Sequence, residues 1–486
     1  MRPWRLALAT AFCAAAALAH VGSPDVYFDG NAGPYRLFVT IRPPSVIPGV
    51  AQIEVRAAAP GVRRLRIAPM PLTGPGAKFA PTPDVAQASK DDPQFFTGSL
   101  WMMTTGSWQV RVQADGDRGP GVLSVPVPTV ASRIQGMDPA MSTGLLALLV
   151  LLAVGAVSIV GAASREGQLE PGADPTPVSR RRARIAMGVA GVLVVAAVWG
   201  GNNWWSAEAS NYSTRIYKPL TMDASADGAG ILHLQLRDPG WLAARKLDDF
   251  IPDHNHLMHL YVIRWPEMDR VWHLHPDLAG MGEFTRALPE MPAGTYRLYA
   301  DVVHKNGFPE TPMGELSLTA GLAGKPLAGD DAGGAAPPLS ESPKDTTVSP
   351  LADGFRMVWV REPGPLKANR PTLFQFRVED KDGKPAQDME LYMGMPGHAA
   401  FVRSDGSVFA HVHPSGSVAM PALMLAESQI ASNANPPAHD MGSMTMALPA
   451  TVTFPYGFPK AGEYRIFVQV KRGGRIETGA FNAQVE

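Results

Sequence analysis

Twelve histidines are spread over 486 residues, and random placement of so few gives about 0.3 His-x-His pairs per chain. Three such pairs occur, His254/His256, His273/His275 and His411/His413. Two of them stand in matching contexts that end in proline, VWHLHP from Val271 to Pro276 and FAHVHP from Phe409 to Pro414. On a strand, residues two apart share a face, so such a pair presents two neutral imidazoles side by side. Three imidazoles at one point suit Zn²⁺ or Cu²⁺.

The elements that must position these rings can be counted out. In SDGS, Asp405-Gly406 predicts a two-residue type I′ turn with Ser404 opposite Ser407. Counting back sets His398 opposite His413 and Ala400 opposite His411, which puts His398, His411 and His413 on one face with Val402 and Phe409 nearer the turn. Ala399, Phe401 and Val412 then point to the opposite, core-facing side. In the earlier hairpin, a five-residue loop WPEMD sets His259 opposite His275 and Tyr261 opposite His273, so His259, His273 and His275 form a second triad. His254 and His256, in DHNH, precede that strand, and His304 ends the strand YRLYADVVH; all three are further candidate ligands. His233, in ILHLQL, has no such company and reads as structural.

Softer donors accompany the imidazoles. The stretch AHDMGSMTMA carries His439, Met441, Met444 and Met446, a thioether and imidazole set of the kind that selects Cu(I), and Met393 and Met395 precede His398. The N-terminus reads as an export signal over residues 1–19: MRPWR supplies charge, Leu6 to Leu18 is apolar but too short to span a bilayer, and Ala17-Leu18-Ala19 is a cleavage site. Cleavage leaves His20 first, able to chelate copper through its amine and ring. The only cysteine, Cys13, goes with the signal, so thiolate ligands and disulfides are excluded from the mature chain.

Two stretches, 144–163 and 185–205, are long and apolar enough to be transmembrane helices. The segment 164–184 between them holds Arg165, Arg180, Arg181, Arg182 and Arg184, and Trp199, Trp204 and Trp205 mark an interface. The arginines place that loop in the cytoplasm. The expected topology is a two-pass protein of the bacterial inner membrane with both flanking parts in the periplasm. Elsewhere, short alternating runs separated by Gly and Pro predict a mainly β chain of three immunoglobulin-like antiparallel β-sandwich domains plus a two-helix transmembrane hairpin. The sandwiches are expected at 20–135, 215–320 and 351–486, with a Gly/Pro/Asp-rich flexible linker at 321–350. With 43 basic against 44 acidic residues and no basic stripe, nucleic acid is excluded as a partner.

The second and third regions repeat one another. HLYVIRWPEMDRVWHLHP parallels HAAFVRSDGSVFAHVHP, and AGTYRLYADVV parallels AGEYRIFVQVK further on. On these motifs the chain resembles YtkA-like and FixH-like membrane-anchored periplasmic β-sandwich proteins, and His20 is similar to the start of mature CopC-like copper carriers. The resemblance implies copper handling, with a periplasmic or inner-membrane cuproenzyme or transporter as partner. The residues themselves point to a metal-binding protein, for copper or else zinc. Two other classes fit the same pattern: a structural or docking module with incidental histidines, and a zinc hydrolase or hydratase. For the last, neither Asp277 nor Glu310 stands at a spacing that marks a general base.

Overall fold

The computed structural model describes residues 24–134, 136–170, 172–431 and 448–486. The expected signal segment, His20 and the stretch with His439, Met441, Met444 and Met446 lie outside the described residues. The fold class is mainly β, in antiparallel immunoglobulin-like layers, with two long apolar helices.

In the first region YRLFVTIR becomes the Tyr35–Arg42 strand, with Tyr35, Leu37, Val39 and Ile41 buried and Arg36 exposed. Eight antiparallel strands form one sheet, from Val26–Ala32 at one edge to Gly119–Thr129 at the other. The sheet curls until the last strand crosses the first. A Cβ on Gly121 would lie 1.9 Å from the Ala32 carbonyl oxygen, so the crossing requires glycine.

The helices α1 (Pro139–Glu166) and α2 (Pro177–Ser213) are 28 and 37 residues long, and both are apolar enough to cross a membrane. Each begins with a cap followed by proline. Asp138 accepts from the N–H groups of Ala140 and Met141, and Thr176 accepts from that of Ser179. The helices extend beyond the expected spans 144–163 and 185–205, because the caps lie outside the apolar stretches. Arg180, Arg181, Arg182 and Arg184 consequently fall in the first turns of α2 instead of in a loop. At Gly161 the helices come close: a Cβ there would meet the Met187 sulfur at 2.6 Å.

The second region is one folded-over sheet whose central strands are Met313–Leu318, Gly294–Val303, His259–Trp265 and Arg270–Leu274. Leu260, Val262, Leu298 and Ala300 face its core together with Leu232, Leu234 and Leu236. The third region stacks two sheets. One contains Arg356–Val360, Thr372–Glu379 and Thr451–Tyr456, and the other contains Gly462–Arg472, His398–Arg403 and Phe409–Val412. Between them lie Trp359, Phe374, Phe376, Phe401, Tyr456 and Phe481.

Residues 321–350 are not the expected linker. Ala332–Ala335 is a strand that pairs with Arg270–Leu274, setting Trp272 opposite Gly333 and His273 opposite Ala332. The small side chains that suggested flexibility instead allow close approach: a Cβ on Gly334 would lie 2.7 Å from Cβ of Thr478 in the third region.

Candidate metal centre

Both hairpins have the register counted from the sequence. Tyr261 pairs with His273, and Ala400 pairs with His411. The turn of the second differs from expectation. Only Gly406 has a positive φ, 74°, so the two-residue type I′ turn is absent. The Gly406 N–H donates to the Arg403 carbonyl at 2.8 Å, and Arg403 N–H to Val408 O at 2.9 Å, which leaves residues 404–407 outside the ladder. Asp405 Oδ1 accepts from the Ser407 N–H, holding an open four-residue connection that a primed turn would have closed. The loop grows by one residue on each side, so every pair below it is unchanged.

The two histidine faces meet. Tyr261, Ile263 and Val271 of the second region pack against Ala400, Val402 and Phe409 of the third in one buried apolar block. Phe409 stacks on Tyr299 at 4.4 Å with ring planes 4° apart. Each large side chain buried this way contributes about 1.5–3 kcal/mol. Beyond that block the histidines converge: His259 and His273 lie 5.4 and 5.5 Å from His411 between ring centroids. Two triads, His259/His273/His275 and His398/His411/His413, each bring one ligand atom per residue within 4.8 Å of the others.

In the first triad, outer hydrogen bonds determine which nitrogen of each ring carries its proton. His259 Nε2 lies 3.0 Å from the Asp253 carbonyl oxygen, and a carbonyl only accepts, so Nε2 holds the hydrogen. His273 Nδ1 donates to Gln469 Oε1 at 2.9 Å. The amide orientation is fixed because Gln469 Nε2 donates to Thr478 Oγ1, whose own hydrogen goes to Gly333 O. His275 Nδ1 donates to the Asp331 carboxylate at 3.1 Å. Three lone pairs remain, on His259 Nδ1, His273 Nε2 and His275 Nε2. The first two face each other at 3.0 Å with no hydrogen between them, and the third is buried without a partner. Metal-ligating histidines are held this way, the far N–H on a carbonyl or carboxylate and the near nitrogen free.

In the third region His411 Nδ1 donates to Asp301 Oδ2 at 3.2 Å and His413 Nδ1 to the Val418 carbonyl at 3.3 Å. His398 Nδ1 lies 3.1 Å from His411 Nε2. The loop after His413 is braced by the first region, where Ser417 N–H donates to Tyr27 O and Asp29 N–H to Ser415 O.

Burial holds the pKa of His259, His273, His398 and His411 well below the ordinary 6.5, and that of His413 down to about 3, with neighbouring imidazoles adding to the effect. The rings are thus neutral near pH 7, the form that binds metal. Burial also raises Asp301 to about 7, against a hydrogen bond from Thr311.

The other candidates divide. His254 lies 5.2 Å from both His398 and His413. His256 stacks on His275 at 3.9 Å and reaches Asp330 Oδ2 at 3.0 Å. His304 is held elsewhere, between Asp249 Oδ1 at 2.5 Å and Glu310 Oε2 at 3.0 Å. It is not brought to either triad, because two carboxylates claim both its nitrogens. Glu310 is also paired with Arg245, and Asp277 lies 3.5 Å from Arg286.

Asp301, Gln469 and Asp331 were missed from the sequence. A signal existed for two of them: Asp301 and Gln469 occupy the same place in the repeated strands, opposite His259 and His398 respectively, as polar residues within apolar runs. Asp331 lies in the supposed linker, whose composition hid it.

Residues 350–486 match a family described as a domain of unknown function (DUF8832). A search of curated proteins finds no match. Among solved structures, Salmonella alpha-2-macroglobulin reacted with methylamine is similar over 96% of this chain and 24% of that chain, at 9% identity and a TM-score of 0.20. Dimeric latent PorU from Porphyromonas gingivalis is similar over 90% and 32%, at 8% identity and a TM-score of 0.14. An ICAM-5 D1–D4 ectodomain fragment is similar over 93% and 77%, at 9% identity and a TM-score of 0.15. The chain spans a quarter to a third of the length of the first two.

Proposed function

We propose that this is a membrane-anchored metal-binding protein that takes up copper where its second and third regions meet and passes it to a cuproenzyme or transporter. The observation that carries the reading is the pair of facing lone pairs on His259 Nδ1 and His273 Nε2, 3.0 Å apart in a buried site. Two acceptors at that distance repel unless a cation joins them. Copper is preferred to zinc because methionines accompany the histidines and the expected mature chain has no thiol. The arginines around α2 support a periplasmic site on the inner membrane.

The test uses the full chain in detergent, stripped with a chelator, loaded with copper and desalted. Stoichiometric copper by mass spectrometry is expected, and copper-free protein would overturn the reading. A second reading, a docking interface with structural histidines, is favoured by the buried apolar block that joins the two regions. It predicts that removing His273 and His275 changes no metal content.

A further inference from the structure

The repeat extends upstream of the histidine strands. Asp253 bridges to His256 just before His259, and Tyr392 bridges to Met395 just before His398. Both bridges enclose a left-handed turn, His254-Asn255 with φ 48° and 70° in one and Met393-Gly394 with φ 50° and 76° in the other. His254 thus stands where the other copy has Met393, and its ring lies 5.2 Å from those of His398 and His413 across the interface, nearer than the 6.2 Å to His259 of its own region.

The unpartnered nitrogens mark where it goes. His254 Nε2, His398 Nε2 and His413 Nε2 are all buried without a hydrogen-bond partner. The nearest acid to His254 Nε2 is Asp253 Oδ1, at 3.4 Å and out of line for a hydrogen bond. The three rings form a near-equilateral triangle, with centroids 5.2, 5.2 and 5.1 Å apart. An ion bound at about 2.0 Å by three imidazoles in tetrahedral directions sets their centroids about 5 Å apart. His411 has a different part. With Asp301 ionised, its Nδ1–H goes to that carboxylate, which leaves Nε2 to accept the Nδ1–H of His398. That chain leaves the lone pair of His398 on Nε2, the nitrogen without a hydrogen-bond partner.

From this geometry we infer that the third region's ion is held by His254, His398 and His413, with His411 a positioning residue between Asp301 and His398. The site is therefore built from two domains and completed by a turn of the second region. The inference rests on the metal-binding reading above and changes the ligand set expected from the hairpin alone.

The test compares copper content and coordination in the full chain in detergent. His254→Asn keeps the left-handed turn, which asparagine tolerates, and removes the imidazole. It is expected to lose one copper per chain, or to weaken one by about tenfold or more, while His256→Asn keeps both. His254→Cys in a Cys13→Ser background gives an independent measurement: a thiolate-to-copper charge-transfer band appears on loading only if position 254 touches the ion. His411→Gln should retain the copper count and the number of coordinated imidazoles seen by electron paramagnetic resonance, with lower affinity. Unchanged copper in His254→Asn together with no thiolate band in His254→Cys would overturn the inference and leave the broader reading standing. A wild-type chain that takes up no copper would remove both.

Discussion

Asp301 Oδ2 and His411 Nδ1 lie 3.2 Å apart, joining two regions across 110 positions of sequence. The carboxylate sits opposite His259 on its own sheet and reaches over to the other hairpin. Its counterpart in the repeat, Gln469, reaches back to His273, so each copy supplies the outer support for a histidine of the other. Replacing Asp301 by alanine is expected to weaken one copper by about 10- to 100-fold. Competition against a chromophoric chelator would measure this, and an affinity equal to wild type would contradict the support role.

Removing His273 and His275 together should abolish binding at the second region's triad, while the ion at the third remains. Metal analysis of this double variant beside His398→Ala/His413→Ala distinguishes two sites from one shared ion. Two sites predict that each pair of changes leaves copper behind, whereas a shared ion predicts none in either.

His304 predicts a pH dependence of stability. Burial opposes its charged form, but the carboxylates of Glu310 and Asp249 prevail and hold its pKa above 6.5. The folded state therefore binds the proton more tightly than the unfolded chain, and the stabilisation is complete below pH 6.5 and lost as pH rises through the folded pKa. Against His304→Gln, the wild-type advantage in denaturant midpoint should be full below pH 6.5 and should shrink as pH rises through the folded pKa above it. A gap that widens over that range would mean the ring is neutral in the folded protein.

Phe409→Ala removes the ring that stacks on Tyr299 in the apolar block. A loss of about 3–5 kcal/mol is expected from the cavity, read as an earlier unfolding transition by calorimetry. If only the third region supplied its packing, limited proteolysis would show no new cleavage in the second.

The hairpin geometry was legible because period-two alternation and turn position are local. His398, His411 and His413 share a face whichever turn joins their strands, provided the loop changes symmetrically, as it does around Gly406. What local pattern could not reveal is which surface covers another. Nothing in FAHVHP says that Asp301 stands against it, and nothing in DHNH says that His254 lies beside His398 and His413. His304 carried the right residue type, but Asp249 and Glu310 bracket it only after the chain folds. The stretch around Asp331 was misread for a compositional reason: small residues and glycine also mark places where a neighbouring side chain must approach closely, as Thr478 does at Gly334.

That stretch sets the thermodynamic character of the whole centre. Residues 330–347 are fastened to both neighbours, through Trp272 opposite Gly333 on one side and Asn482 Nδ2 to Pro343 O at 2.6 Å on the other. A free tether would let the two regions drift apart and would charge each binding event the entropy of bringing them back. A fastened one fixes that loss during folding. Under the metal-binding reading proposed above, an arriving ion would meet rings already at their working separation, held within a packed interior.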